Sequence, residues 1–476
     1  MWHGRLGKRG VICFLLGGVL WTGCAGGPFG SRGAGGPKVR GGAPLRIGVI
    51  LPLSGRYGVF GRATLNGIEC AAGKTEPCES PYPVELITRD SGESVDRAVE
   101  AVRELAQEKV AAILGPLMAN TVEAAAREAE QLGIPLVSLS RLKRVVDIGP
   151  HIYSIGMDEQ SQVEALVRYA TEQSKLTTFA IVYPTNNYGR AFRDLFRDAV
   201  TRVGGSVAVE RGYTANLEQI IEARKRAEQA PVPTEGESQR RFELSKTGEV
   251  VEIAGASTPL PPLKKIDNVQ AVFIPDSYRT LTTMLHTYGS DLFGNAMLLG
   301  LSRWNHHGIL AGGSRVQGAV FVDGFFKESA DIDTQRFVTA FAQAYHVEPT
   351  ILEGQAYDAT QLVLKAARRG GQSAAVVQRG LQKLGSYRGV TGRLTVKSSG
   401  EIARELFLLT VADGRIAEIP HRGAKSHRNA MQGPAADHAV SSSHVSRDRV
   451  DEKYDRGGSA ERPIETKVWD KYADHL

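Results

Sequence analysis

LRIGVILPLSGRYGVFGRATLNGIECAAG, residues 45–73, joins a short apolar run to a helical stretch through a Ser-Gly turn. The run 45–51 is too short for a buried helix and is bounded by turn residues, so it reads as a strand buried on both faces. Ser54-Gly55 ends it, and a helix is expected near 58–72. The unit repeats downstream as strand 84–88, helix 94–108, strand 110–114, helix 120–132 and strand 134–139. Buried strands that alternate with amphipathic helices make a parallel, doubly wound sheet.

The rhythm then restarts. TFAIVY at 178–183 leads to a helix near 188–203, a strand at 206–210, a helix near 217–228, and strands at 269–275, 296–301 and 319–322. Helices follow near 333–345, 354–367 and 373–384, before a β-rich end at 392–411. This is a second α/β lobe, so the fold class expected is α/β with two doubly wound parallel-sheet lobes. One segment breaks the pattern: 230–263 holds five prolines among charged and hydroxylated residues and reads as a surface insertion, with a hairpin strand at 249–253.

The ends carry an address. In 1–23, Arg5, Lys8 and Arg9 precede an apolar core at 11–20 and then Trp-Thr-Gly-Cys at 21–24, which is the layout of a signal peptide. Thr22-Gly23 before Cys24 resembles a bacterial lipobox, with Trp21 where that motif usually has Leu, so Cys24 is the expected lipidation site. An apolar run this short falls below the ~20 residues of a spanning helix, which leaves lipid as the membrane anchor. Ala25 and Gly26 follow the cysteine without an Asp, which favours the outer membrane. Residues 24–44 form a Gly-rich tether, and 421–476 is a polar tail with the composition of a disordered segment.

Charge excludes one class of partner. The six cations before Pro44, with no acid among them, equal the whole formal charge of +6, so the remaining chain is neutral and nucleic acid is not expected as a partner. Of the four cysteines, Cys13 leaves with the leader and Cys24 takes lipid. Cys70 and Cys78 remain, and in an oxidising exported compartment they close a short loop as a disulfide; the plainer alternative is two reduced thiols. No histidine lies near them in sequence to complete a zinc site, and no cofactor or metal is expected.

With this order of elements, particular strings become recognisable. IGVILPLSGRYGVFGRATLNGIECAAG at 47–73, ILGPLMANTVEAAAREAEQLGIPLVSLS at 113–140, FAIVYPTNNYGRAF at 179–192, QAYDATQLVLKA at 355–366 and GVTGRLTVKSSGEIARELFLLTV at 389–411 resemble, in the right order, the type I periplasmic binding proteins of the leucine-binding class. That resemblance implies two lobes joined by a three-strand hinge: lobe one from 45–155 and 326–398, lobe two from 156–325 and 399–420. It implies a ligand cleft between them, a disulfide in lobe one that Cys70 and Cys78 fit, and a membrane permease of the ABC type as partner.

Ligands of doubly wound sheets lie beyond the carboxyl ends of strands, where helix N-termini offer free N–H groups to anions. Loops 54–57, 117–121, 138–141 and 185–188 qualify, and Tyr57 lies in the first. The resemblance implies that Asn120 or Thr121, with Ser138 or Ser140, holds a ligand carboxylate, and that Tyr188 lines the cleft. Plainer readings stand beside each: Asn120 or Thr121 as a helix cap, the serines as loop residues, Tyr188 as packing at a helix start. For an ammonium, the resemblance implies an acid near 302, but the chain reads Gly-Leu-Ser-Arg-Trp-Asn at 300–305, with Arg303 in its place. Asp276 is the substitute acid, and its plainer role is to cap the helix that begins near Tyr278. A buried cation repels an ammonium, so an anionic or larger small-molecule ligand is favoured.

These departures, together with Phe-Ile-Pro-Asp-Ser-Tyr at 273–278, are similar to a second branch of the same fold: outer-membrane lipoprotein activators of penicillin-binding proteins, which regulate peptidoglycan synthesis by gripping a protein partner. Enzymatic readings fail. Gly73-Lys74-Thr75 ends a helix instead of following a strand, the phosphate-loop spacing would need a glycine where Ile68 stands, and no Gly-x-Ser-x-Gly elbow occurs. The chain is expected to be a binding protein, not an enzyme.

Overall fold

A computed structural model describes residues 43–213, 240–244, 250–254, 264–289, 291–367 and 371–420; in 240–244 and 250–254 it describes the backbone alone. Cys24, the tether to residue 42, the helix expected near 217–228, most of the 230–263 insertion and the 421–476 tail lie outside these residues.

The first lobe grows outward from β1 (Leu45–Leu51). Its side chains alternate between two cores: Ile47, Val49 and Leu51 enter one, and Ile50 enters the other. A strand buried on both faces must be covered twice, and helices do so on either side. α1 (Gly58–Ala71), β2 (Val84–Asp90), α2 (Val95–Gln107), β3 (Ala112–Leu114), α3 (Ala119–Gln131), β4 (Leu136–Ser138) and β5 (Ile152–Ser154) follow. The sheet order is β2-β1-β3-β4-β5, with every pair parallel. Ser94 starts α2 by accepting a hydrogen bond from the Arg97 N–H. Ala98, Ala101, Val102 and Leu105 then line one helical face and pack with Val122, Ala125, Ala126 and Ala129 of α3.

β5 and the helix after it, α4 (Glu159–Arg168), have no counterpart among the elements expected from sequence. β5 is three residues long, too brief for a period-2 signal, and α4 is capped by the Asp158 carboxylate, which accepts from the Ser161 N–H at 2.9 Å. The second lobe continues with β6 (Thr178–Pro184), α5 (Asn187–Arg202), β7 (Ser206–Tyr213), the antiparallel hairpin β8 (Arg240–Leu244) and β9 (Val250–Ala254), β10 (Ala271–Phe273), α6 (Tyr278–Tyr288), β11 (Met297–Gly300) and β12 (Val320–Asp323). β6 alternates as β1 does, with Ala180 and Val182 in one core and Phe179 and Ile181 in the other.

The chain then returns to the first lobe as α7 (Ile332–Tyr345), α8 (Ile351–Ala367), α9 (Ala374–Gln382) and an antiparallel sheet of β13 (Ser386–Gly389), β14 (Gly392–Val396) and β15 (Ile402–Arg404). Ala356, Ala359 and Val363 of α8 share a core with Phe60 and Ile68 of α1. Finally β16 (Phe407–Ala412) adds antiparallel to β12 and β17 (Arg415–Glu418) antiparallel to β16, giving the second sheet the order β17-β16-β12-β11-β10-β6-β7. The fold is α/β: two doubly wound lobes whose chain crosses between them after β5, after β12 and after β15.

Cys70 and Cys78 are joined as a disulfide between α1 and the loop after it, packed beside Phe337 and Phe341 of α7. By restricting the unfolded chain, a loop of this size contributes about 2–3 kcal/mol. The double variant Cys70→Ser/Cys78→Ser should lose about that much in urea unfolding.

Candidate functional site

All parallel strands of a lobe end on one edge, and the crossings stand at those same edges. Ser154, the last residue of β5, begins the first crossing; Asp323, the last of β12, begins the second and lies opposite Phe407, where the third delivers the chain. The loops at the carboxyl ends of both sheets therefore converge on the space between the lobes, which is where a ligand of such sheets sits.

On the lobe-one side, Asp90 organises the β1–α1 loop. Its carboxylate accepts from the N–H groups of Leu53 at 2.8 Å, Ser54 at 3.3 Å and Gly92 at 2.7 Å, and pairs with Arg97 at 2.9 Å. Burial opposes ionisation, but hydrogen bonds from Ser54, Gly92, Leu53 and Arg97 outweigh it and hold the carboxyl well below the usual range. The loop so fixed carries Arg56, whose guanidinium lies over the Tyr57 ring at 4.7 Å and bonds Glu93 at 2.8 Å. Asn120 donates to the Glu93 carbonyl at 3.3 Å. Tyr57 and Asn120 are thus brought to one rim through Arg56 and Glu93, though Tyr57 itself is only 4% exposed.

Three other expected residues are inward. Thr121 is buried and its hydroxyl donates to the Met118 carbonyl at 3.2 Å. α3 has no side-chain cap, so neither Asn120 nor Thr121 caps it. Ser138 and Ser140 are buried neighbours that brace the β4 loop: Ser138 Oγ accepts from the Ser140 N–H at 3.2 Å, and Ser140 Oγ from the Leu142 N–H at 3.3 Å.

On the lobe-two side, Asn186 caps α5 by accepting from the Gly189 N–H at 2.8 Å, which sets Tyr188 on the first turn, 4.8 Å from Phe192. Asp276 and Arg303 come together, Nη1 to Oδ1 at 4.0 Å, with side chains 14% and 22% exposed. Asp276 also accepts from the Ser277 N–H at 2.6 Å and from the Tyr213 hydroxyl. It does not cap α6. Ser277 does, through its Oγ to the Thr280 N–H at 3.2 Å, because Ser277 is the extended residue adjoining the first turn.

Sequence reasoning missed Tyr213, because 206–210 ended its strand three residues early; the register Pro184 opposite Tyr213 puts it at the carboxyl edge. It also missed His306, stacked on Tyr278 at 4.3 Å and nearly parallel. Trp304 is fully buried, and its Nε1–H donates to the Asp276 carbonyl at 2.9 Å, stitching the ends of β10 and β11. Gly300 makes room for it, since a Cβ there would fall 2.1 Å from the indole.

Behind the cleft, the crossings hold buried charge. Burial pushes the Asp323 carboxyl up to about 7, against hydrogen bonds from Asn305 and the Gly324 N–H, and the Asp358 carboxyl is raised by burial in the same way. A pocket of about 360 Å³ opens elsewhere, on lobe one, between the disulfide, α7, α8 and β13, with Lys365 over the Tyr387 ring at 4.4 Å. It contains none of the strand-end loops, so it is not the candidate site. Among the described residues no group of acids, histidines or cysteines could hold a metal ion.

The family model described as periplasmic binding protein matches residues 44–233 and 262–415. No curated protein sequence matches the chain. Among solved structures, a putative branched-chain amino acid ABC transporter from Rhodospirillum rubrum superposes with a TM-score of 0.62 at 19% identity, covering 79% of this chain and 100% of that one. An ABC transporter substrate-binding protein from Desulfitobacterium hafniense in complex with Leu gives 0.54 at 19%, with 79% and 100% covered. A solute binding protein of an ABC transporter from R. palustris in complex with benzoate gives 0.53 at 16%, with 79% and 96% covered.

Asp90→Asn should cost about 1.5–3 kcal/mol at neutral pH, the range for hydrogen bonds to a charged acceptor. A carboxyl held low contributes stability above its ordinary value of 3.8 and loses it as the pH falls toward its folded value. The stability gap between wild type and variant, followed by urea unfolding across pH, should therefore narrow below that value.

Proposed function

This chain belongs to the periplasmic binding protein family, and we propose that it is an exported lipoprotein whose interlobe cleft binds a small solute bearing an anionic group, as a transport-type substrate-binding protein. The observation that carries this reading is the convergence of both sets of strand-end loops on the space between two hinged lobes. Arg303 and the Asn120 amide supply donors suited to a carboxylate. Tyr57, Thr121, Ser138, Ser140, Tyr188 and Asp276 complete the proposed cleft, the buried hydroxyls shaping its floor. An amino acid would face Asp276 already paired with Arg303, so its ammonium gains little there, and a plain carboxylate fits better.

The family points to the periplasm, and lipidation at Cys24 would tether the domain near a membrane partner, an ABC permease. Among the described residues no helix is long and apolar enough to cross a membrane.

A second reading is favoured by one observation: the family match is interrupted at 234–261, where the β8–β9 hairpin stands. An added hairpin suits a protein partner, and here the chain would act as a penicillin-binding protein activator. Capture of purified penicillin-binding proteins that is lost on deleting 230–263 would establish it.

Titration calorimetry of the full chain against amino acids, aliphatic and aromatic carboxylates, and muropeptides separates the readings. Binding of a carboxylate that Arg303→Ala weakens about ten- to a hundredfold supports the solute receptor. Silence across the panel contradicts it.

A further inference from the structure

The pocket on the outer face of lobe one takes no part in the cleft. It holds about 360 Å³, within the size range of small-molecule sites, and its walls come from α7, α8, β13 and the Cys70–Cys78 loop. The buried part of its lining is apolar, with Cys70, Cys78, Phe337 and Val390 each less than a tenth exposed. The Phe337 and Tyr357 rings meet there at 4.6 Å, and the Tyr387 ring lines the same space. Three rings in one concavity present a wall for a flat apolar body.

Three cations line the pocket, and two of them are engaged. Arg388 pairs with Asp331, and Arg336 with Asp333 at 3.6 Å. Lys365 differs: its ammonium stands 4.4 Å over the Tyr387 ring and forms no ion pair among the described residues. The Tyr387 hydroxyl likewise forms no hydrogen bond among them. Burial, with Asp358 adding to it, raises this phenol above its ordinary range, so the oxygen keeps its proton and serves as a donor. Glu79, the other acid on the lining, is exposed, and water screens it from the interior.

From this arrangement we infer a second small-molecule site, on the outer face of lobe one, that takes a small aromatic carboxylate: Lys365 and the Tyr387 hydroxyl hold its carboxylate, and Phe337 and Tyr357 pack against its ring. A carboxylate has two oxygens for the two uncommitted donors, and the ammonium makes its bond charge-assisted. A phosphate would carry more acceptors than these donors can meet, and a cationic ligand would be repelled by Lys365. The site is complete within lobe one and uses none of the strand-end loops, so it fills whether or not the cleft does.

Photoaffinity labelling of the full chain tests this. The probe is 4-azidobenzoate, its adducts are mapped by mass spectrometry, and benzoate is the competitor. Adducts should fall on 336–340, 357–365 and 387–390, saturate at about 1 mM or below, and vanish with excess benzoate. Lys365→Met should weaken this labelling about ten- to a hundredfold. Ala340→Trp fills the pocket without touching a charge and should abolish it. Arg303→Ala, a cleft variant, should leave it unchanged; if the solute-receptor reading fails, adducts are missing from the strand-end loops while these remain. Pocket adducts that are absent or do not saturate, that persist at full strength in Lys365→Met or Ala340→Trp, or that disappear with Arg303→Ala would overturn the inference. If Ala340→Trp fails to fold by thermal unfolding, Lys365→Met decides alone.

Discussion

Parallel strand pairing is the constraint on which the rest of this structure depends. β1 lies parallel to β2 and β3, and β6 parallel to β7 and β10. Strands paired this way cannot be joined by a tight turn, so each must hand the chain to a crossover that covers a face of the sheet. The sheets are consequently buried on both sides, their strands are apolar throughout, and every loop that leads out of a strand's carboxyl end collects on one edge. That edge is also where the chain passes between lobes. The cleft is a product of topology before any side chain is chosen for it.

That dependence explains how much could be read from the residues alone. LRIGVIL and TFAIVYP announce themselves because a doubly buried strand is a continuous apolar run, and Ser94 and Asn186 mark helix starts by their capping chemistry. β5 was not legible, since three residues carry no period, and α4 went unread although Asp158 caps it much as Ser94 caps α2. The strand-end loops were legible, but the partnerships within them were not. Asp276 and Arg303 could each be placed at a strand end, yet nothing local says that they pair, that Tyr213 completes the cluster, or that Ser277 and not Asp276 caps α6. Those facts require β7, β10 and β11 to lie side by side, a long-range outcome of sheet order.

The chemistry of the cleft and that of the hinge are arranged differently. The rims hold charges close to partners and to solvent: Arg56 with Glu93, Arg97 with Asp90, Arg303 with Asp276. Of these only Arg56–Glu93 is largely exposed, and such a pair is individually weak. The hinge buries its charges instead, with Asp323 and Asp358 pushed toward the protonated form and Arg404 drawn down to about 10 by burial. A buried charge is costly wherever it lacks a partner, so small displacements there are felt strongly.

The central claim, that one cleft formed by both lobes receives the ligand, is tested most directly by hydrogen exchange of the full chain with and without a saturating carboxylate from the binding panel. Added protection should appear together in the loops at 52–57, 117–121 and 138–141 of lobe one and at 185–188, 274–278 and 301–306 of lobe two. Protection confined to a single lobe, or to the outer face around the Cys70–Cys78 disulfide, would contradict it.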